Sequence, residues 1–328
     1  MSNGRLLRQL IKHGAKYGDE EFIKVAEEII REERQKKHHL LANDLERLLY
    51  GKIQYSPKQH LHEIPTDRER GLPLLEIREP SRDLQDVILS DENRSIIDEV
   101  LLEQSRTEVL SSYGLRPTSR LLFCGPPGCG KTLTAEALAS ELSLELVIVR
   151  FDAVVSSFLG ETAANLRKVF NFLEKGIFVA LFDEFDAIGK EREDSAEHGE
   201  LKRVVNSVLQ MIDGYRGKSL IIASTNHEKL LDRALWRRFD EVLVFERPNL
   251  EQIRKLLEIK LRGVRYDLPL DDRSFINQFK GFSHADIERI IIKSIKTMVL
   301  KGREFLTVDM IEEARRREEM RLNMISKL

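Results

Sequence analysis

"RLLFCGPPGCGKTLTAEAL", Arg120 to Leu138, decides the fold. It opens on five residues rich in apolar side chains, too few for a stable helix, and closes on a helix-forming run. Between them lies Gly125–Thr132, which satisfies G-x-x-x-x-G-K-T. Glycines let successive backbone N–H groups curl around an oxyanion, and the N-terminus of the following helix adds partial positive charge. Lys131 supplies a full charge for β- and γ-phosphates, and Thr132 supplies a hydroxyl for Mg²⁺. A glycine-rich turn alone is a weak signal, but a strand directly before it and a helix directly after are the context this chemistry requires. The phosphate-binding candidates are Gly125, Pro126, Pro127, Gly128, Cys129, Gly130, Lys131, Thr132 and Leu133.

Outward from this stretch, short apolar runs alternate with amphipathic segments. The runs fall at 120–124, 145–149, 177–182, 219–224 and 241–245. Helical spacing marks Thr132–Leu142, Glu161–Glu174 and Leu201–Ile212. Strands apolar on both faces, separated by helices, imply an α/β fold with a parallel sheet covered on both sides. After Pro248 the runs stop and helical patterns follow to the C-terminus. Residues 5 to about 50 also read as helices, with apolar stripes at Leu6, Leu7, Leu10 and Ile11 and at Phe22, Ile23, Ala26, Ile29 and Ile30. Residues 56–83 are proline-rich and aperiodic. The expected organisation is a helical docking region at 1–55, a linker or extended arm at 56–83, a nucleotide-binding α/β domain at 84–248 and a helical lid at 249–328.

A second signal is "IFVALFDEFDAIG", Ile177 to Gly189. Asp183 and Glu184 emerge where a buried strand ends, and open α/β sheets bind ligands at that end. Asp183 is assigned to the metal, and Glu184 to polarising the attacking water. Asp186 is expected to be structural or intersubunit. "IIASTN" ends in Asn226, a neutral amide placed to orient water or meet a γ-phosphate. In "LDRALWRRFDEV", Arg237 and Arg238 read either as surface ion pairs or as charge for a neighbour's γ-phosphate.

Composition narrows the function classes. Lys and Arg total 53 against 55 Asp and Glu, for a net charge of −2. Such balance gives no electrostatic footprint for nucleic acid or a membrane surface. Cys124 and Cys129 make neither a disulfide framework nor a zinc site, and a reducing cytoplasm suits them. No signal peptide is read at the N-terminus, and no apolar stretch approaches membrane-span length.

In their order along the chain, "GPPGCGKT", "LFDEFDAIG", "ASTN", "LDRALWRRFD" and "GFSHADIERI" resemble an AAA-family ATPase of the AAA+ superfamily. The resemblance covers about Leu84 to the C-terminus and is nearest to small single-ring bacterial types with a short helical N-terminal region. It implies a five-stranded parallel sheet, a helical C-terminal lid, and a ring, commonly a homo-hexamer, with ATP between subunits. It further implies intersubunit signalling at Asp213, Gly214 and Tyr215, nucleotide contacts at His284 and Ala285, and adenine contacts at Val87 and Ile88. One of Arg237 and Arg238 would be an arginine finger. "SSFLGET" matches by position an aromatic-hydrophobic-glycine pore loop, giving Phe158, Leu159 and Gly160 a grip on an extended chain. This sequence departs from the family in lacking a Pro-Gly pair before Arg238, in His284 where glycine is usual, and in Cys129.

The function expected is an ATP-hydrolysing motor that threads protein clients, with an adaptor or protease as a possible companion. The alternatives on this fold are a nucleic-acid motor or loader, and a nucleotide-dependent regulatory switch.

Overall fold

A computed structural model describes residues 20–35, 42, 45, 63–68, 70–155, 159–184, 208–226 and 236–325. The chain divides into two compact units. The first takes in Met1–Val87, Asp91–Cys124 and Thr132–Val244; the second takes in Ile88–Ser90, Gly125–Lys131 and Phe245–Leu328.

In the first unit, helix α1 (Glu20–Gln35) buries Ala26 and Ile30 in a small cluster with Ala42 and Leu45. Strand β1 (Leu75–Arg78) follows, then helices α2 (Asp91–Ser105) and α3 (Thr107–Ser112) and strand β2 (Arg120–Cys124). Next come helix α4 (Lys131–Glu141), β3 (Leu146–Val149), the short helix α5 (Phe151–Val154), α6 (Leu159–Glu174) and β4 (Val179–Phe182). Helix α7 is described over 208–214 and precedes β5 (Leu220–Thr225) and β6 (Glu241–Val244).

The sheet order is β1-β3-β4-β5-β2-β6. Every neighbouring pair is parallel except β1 with β3, which is antiparallel with Leu75 opposite Val149. The five parallel strands are those expected. The sheet has six strands rather than five because β1 adds an edge from within the stretch read as a linker or arm. That strand, "LEIR", has only two apolar residues and alternates buried with more exposed positions, as an edge strand can. By contrast β4 and β5 are buried at every position, because helices cover both faces.

The core is aromatic at its centre. Phe170 of α6 stacks on Phe182 at the end of β4, ring centroids 5.5 Å apart, and meets Tyr215 edge-on at 6.1 Å. Offset and edge-on arrangements satisfy the ring quadrupoles. The arm is tied into this unit as well. Asn165 of α6, itself buried, donates to the Asp67 carboxylate at 3.0 Å, and Lys168 donates to the Thr66 carbonyl at 2.8 Å.

The second unit contains helix α8 (Leu250–Lys260), a two-residue parallel ribbon of β7 (Tyr266–Asp267) and β8 (Leu306–Thr307), and helices α9 (Arg273–Asn277), α10 (His284–Leu300) and α11 (Val308–Ile325). Its core joins Ile253, Leu257, Phe279, Ile287, Ile290 and Ile311. Capping boxes start two of its helices, Asn249 with Gln252 on α8 and Ser283 with Asp286 on α10. Gly125–Lys131 groups with these helices, so the unit boundary does not follow a single cut near 248. Among the described residues no helix is long and apolar enough to cross a membrane.

Candidate nucleotide site

In the sheet unit, β5 lies between β4 and β2, with Phe182 opposite Ala223 and Cys124 opposite Thr225. This register brings the carboxyl ends of the three strands side by side. Asp183, Asn226 and the entry to the phosphate loop each follow one of them. Thr132 Oγ1 donates to Asp183 Oδ2 at 2.7 Å. Asp183 Oδ1 accepts a hydrogen bond from the buried Ser224 hydroxyl. The Glu184 N–H donates to Asp183 Oδ1 at 3.0 Å and to Ser224 Oγ at 3.3 Å. Glu184 has φ +51°, in the left-handed region that a non-glycine residue occupies only against a local cost. The exposed Glu184 side chain thus leaves from a turn held by its own backbone N–H.

Ser224 was missed in the sequence, although a signal existed: it is a polar residue inside an otherwise apolar run. Buried polar groups need partners, and the carboxylate at the end of the next strand provides one.

In the helical unit, the phosphate loop closes on itself and on the start of α10. Lys131 is buried, and its ammonium donates to the Gly125 carbonyl at 2.6 Å and the Pro126 carbonyl at 3.0 Å. Ala285 N–H donates to the Gly128 carbonyl at 3.0 Å. Gly128 has φ +76°, and a Cβ there would lie 2.7 Å from Ser283 Oγ and 3.1 Å from the Ala285 methyl. Only glycine permits so close an approach in that conformation. Cys129 is buried, and burial raises its thiol pKa against the smaller opposing pull of Lys131 and Arg247. A thiol in that state is a poor nucleophile, so the loop cysteine behaves as a small packed residue.

His284 shows an orphaned polar group in this unit. Neither Nδ1 nor Nε2 reaches solvent or a hydrogen-bond partner among the described residues. Burial lowers its pKa to about 4, so the ring is neutral at pH 7. An enclosed donor left unpaired costs on the order of 1–3 kcal/mol, which polar atoms of a bound ligand would recover. The same burial makes stability pH-dependent. Between pH 6.5 and 4 the unfolded chain takes up a proton that the folded chain refuses, so stability falls as pH falls through that window. At pH 5 the loss relative to pH 7.5 is expected to be about 2 kcal/mol. Urea titrations at both pH values should show it, and His284→Asn should remove that increment; an equal loss in both chains would refute it.

The remaining candidates are placed as follows. Arg237 is exposed, with no ion pair among the described residues, whereas half-buried Arg238 pairs with Asp213 of its own chain. Tyr215 is buried and donates to the Leu173 carbonyl at 3.1 Å. Asn226 follows β5, and Leu133 lies in the first turn of α4. Val87 is buried in the sheet unit; Ile88 packs against the helical core. Leu159 and Gly160 have helical backbone, so α6 begins two residues before the expected Glu161. Phe158 and Asp186 lie outside the described residues.

The oxygens of Thr132 and Asp183 suit Mg²⁺, which takes one or two carboxylates, keeps several waters and shares substrate phosphates. No group of three or more His, Cys, Asp or Glu able to cage a metal occurs among the described residues.

Comparison with known proteins points to a family of ATPases. Residues 121–247 match the model of the "ATPase family associated with various cellular activities (AAA)". An uncharacterized AAA family ATPase of Sinorhizobium fredii is 42% identical over 308 residues, covering 93% of this chain and 92% of that protein. A proteasome-activating nucleotidase of Methanosphaerula palustris is 30% identical over 76% of this chain and 63% of its own length. An ATP-dependent zinc metalloprotease FtsH of Mesoplasma florum is 32% identical over 61% of this chain and 32% of its own length. The chain therefore spans most of the first relative, just under two thirds of the second and a third of the last.

Proposed function

We propose, since the chain belongs to the AAA family of ATPases, that it is a ring-forming motor that uses ATP hydrolysis to remodel protein clients. The observation that carries this reading is "SSFLGET", an aromatic residue followed at once by the leucine that opens α6, in the connection from β3 through α5 to α6. It is supported by relatives whose names place them with the proteasome or a protease, both of which act on protein.

The residues take the following roles. Lys131 leaves its loop carbonyls for the β- and γ-phosphates, and the backbone N–H groups of Gly125–Lys131 cradle the same oxygens. Mg²⁺, held by Thr132 and Asp183, would neutralise charge on the phosphate oxygens. Ser224 keeps Asp183 aimed, while Glu184 takes a proton from the attacking water and Asn226 orients that water. His284, enclosed beside Ala285, would turn its orphaned N–H outward to meet the nucleotide, and Val87 and Ile88 supply apolar surface to adenine. Arg238 is already neutralised by Asp213, so Arg237 is the residue offered to a neighbouring subunit's γ-phosphate, as an arginine finger.

Phe158→Ala tests the motor. ATP affinity should stay within about 2-fold of the native chain, because Phe158 is assigned no nucleotide contact. ATP-dependent unfolding of a tagged model protein should fall at least about 10-fold, since aromatic side chains carry a disproportionate share of contact energy. Undiminished unfolding would exclude the pore-loop role. Turnover stimulated by single-stranded DNA instead of by unfolded protein would move the chain to the nucleic-acid class.

A further inference from the structure

Helix α11 carries a carboxylate that packing alone does not call for. The Glu318 side chain is fully enclosed, although the helix around it reads "EEARRREEMRL". A glutamate is almost never enclosed without cationic partners. Here three converge: Arg289 Nη1 at 2.6 Å and Arg321 Nε at 2.8 Å on one oxygen, and Lys293 Nζ at 2.8 Å on the other. Burial alone would raise this carboxyl's pKa; the hydrogen bonds from Lys293, Arg289 and Arg321 outweigh it and hold it at about 2. A well-packed apolar residue would join α10 to α11 equally well, so stability does not account for the arrangement.

What the carboxylate adds is direction. The same Arg289 Nη1 that meets Glu318 also reaches Asp286 Oδ1 at 3.4 Å. Asp286 Oδ2 accepts from Ser283 Oγ at 2.6 Å and from Ser283 N–H at 3.1 Å, which closes the cap of α10. That cap holds Ser283 against Gly128, and the adjacent Ala285 N–H binds the Gly128 carbonyl. A continuous series of polar contacts therefore runs from the middle of the last helix to the middle of the phosphate loop.

We infer that Glu318 is a positioning residue for ATP: through Arg289 and Asp286 it fixes where the start of α10 holds Gly128, and so sets nucleotide affinity. This rests on the assignment of ATP to that loop. Lys293 grips the same carboxylate but makes no contact with Asp286 among the described residues, so it offers a matched control.

The test is titration of the full chain with a fluorescent ATP analogue, alongside thermal unfolding. Arg289→Met should weaken binding about 5- to 20-fold, a typical coupling between neighbours in one network. Lys293→Met should leave affinity within about 2-fold, while lowering the unfolding temperature by a similar amount. Glu318→Gln keeps the volume, removes the charge, and should raise the Kd and KM as Arg289→Met does with kcat little changed; Glu318→Asp should recover part of the loss. The double variant Glu318→Gln/Asp286→Asn should bind no worse than the weaker single variant. Equal affinity losses in Arg289→Met and Lys293→Met would overturn the inference, and so would multiplying effects in the double variant. If Glu318→Gln does not fold, the arginine and lysine pair still decides. A native chain that fails to bind the analogue, as Lys131→Ala should, would instead remove the ATP assignment itself.

Discussion

Glu184→Gln is expected to bind ATP as the native chain does and to turn it over about 10²- to 10⁴-fold more slowly. The geometry separates binding from chemistry at this position. Glu184 is anchored by its backbone, whose N–H meets Asp183 Oδ1 and Ser224 Oγ, while its exposed carboxylate takes no part in that anchor. Exchanging one side-chain oxygen for an amide leaves the turn, its φ of +51° and the Asp183 network unchanged. What disappears is the group able to accept a proton from water. Phosphate release at saturating ATP measures the rate, and equilibrium binding of an ATP analogue checks that the site is intact. Turnover within about 3-fold of native would take Glu184 out of the chemical step, because a general base contributes far more than that. Asp183→Asn provides a contrast. Asp183 bonds Thr132, Ser224 and the Glu184 N–H together, so its change should disturb binding as well as rate.

The placement of Asp183 and Glu184 was legible in the order of residues, because both directly follow an apolar strand. The five parallel strands were legible because each carries a short apolar run, most completely in β4 and β5, which are buried at every position. Strand β1 was not. "LEIR" is short and half polar, and becomes a strand only by pairing with the free edge of β3. Tertiary pairing of that kind leaves little trace in local pattern. The start of α6 shows a related limit. Gly160 suggests a turn, yet the helix takes it in, and helix ends shift by one or two residues with the surrounding contacts. Glu318 is the clearest case. The run "ARRREEMRL" reads as a solvated face, and only the opposing α10, with Arg289 and Lys293 one turn apart, encloses one of its acids. Ser224 and Ser283, by contrast, carried usable signals, a polar residue in an apolar strand and the S-x-x-D spacing of a helix cap.

Gly125→Ala is expected to cost more stability than any other single methyl added to the phosphate loop. Gly125 has φ +143°, a conformation L-residues rarely adopt, and a Cβ there would overlap the Phe245 carbonyl oxygen and lie 2.8 Å from its carbonyl carbon. The obstacle is backbone, so no side-chain rotation relieves it. Either the loop or the segment entering the helical unit must move. Overpacking of this kind, added to a forbidden φ, places the loss above about 4 kcal/mol, in the range of exceptional substitutions. Gly128→Ala should cost less, because its new methyl meets the Ser283 hydroxyl at 2.7 Å and a side chain can yield. Gly130→Ala isolates the conformational part: φ is +98° but nothing lies within 4 Å, so only about 1–3 kcal/mol of backbone strain remains. Denaturant unfolding of the three variants without nucleotide should therefore rank Gly125 above Gly128 above Gly130. ATP affinity should collapse with Gly125→Ala, because the loop whose backbone N–H groups are assigned to the phosphates must shift to clear the Phe245 carbonyl. A Gly125→Ala chain as stable as the native one, with ATP binding retained, would show that the loop and Phe245 do not make the close approach on which this site is built.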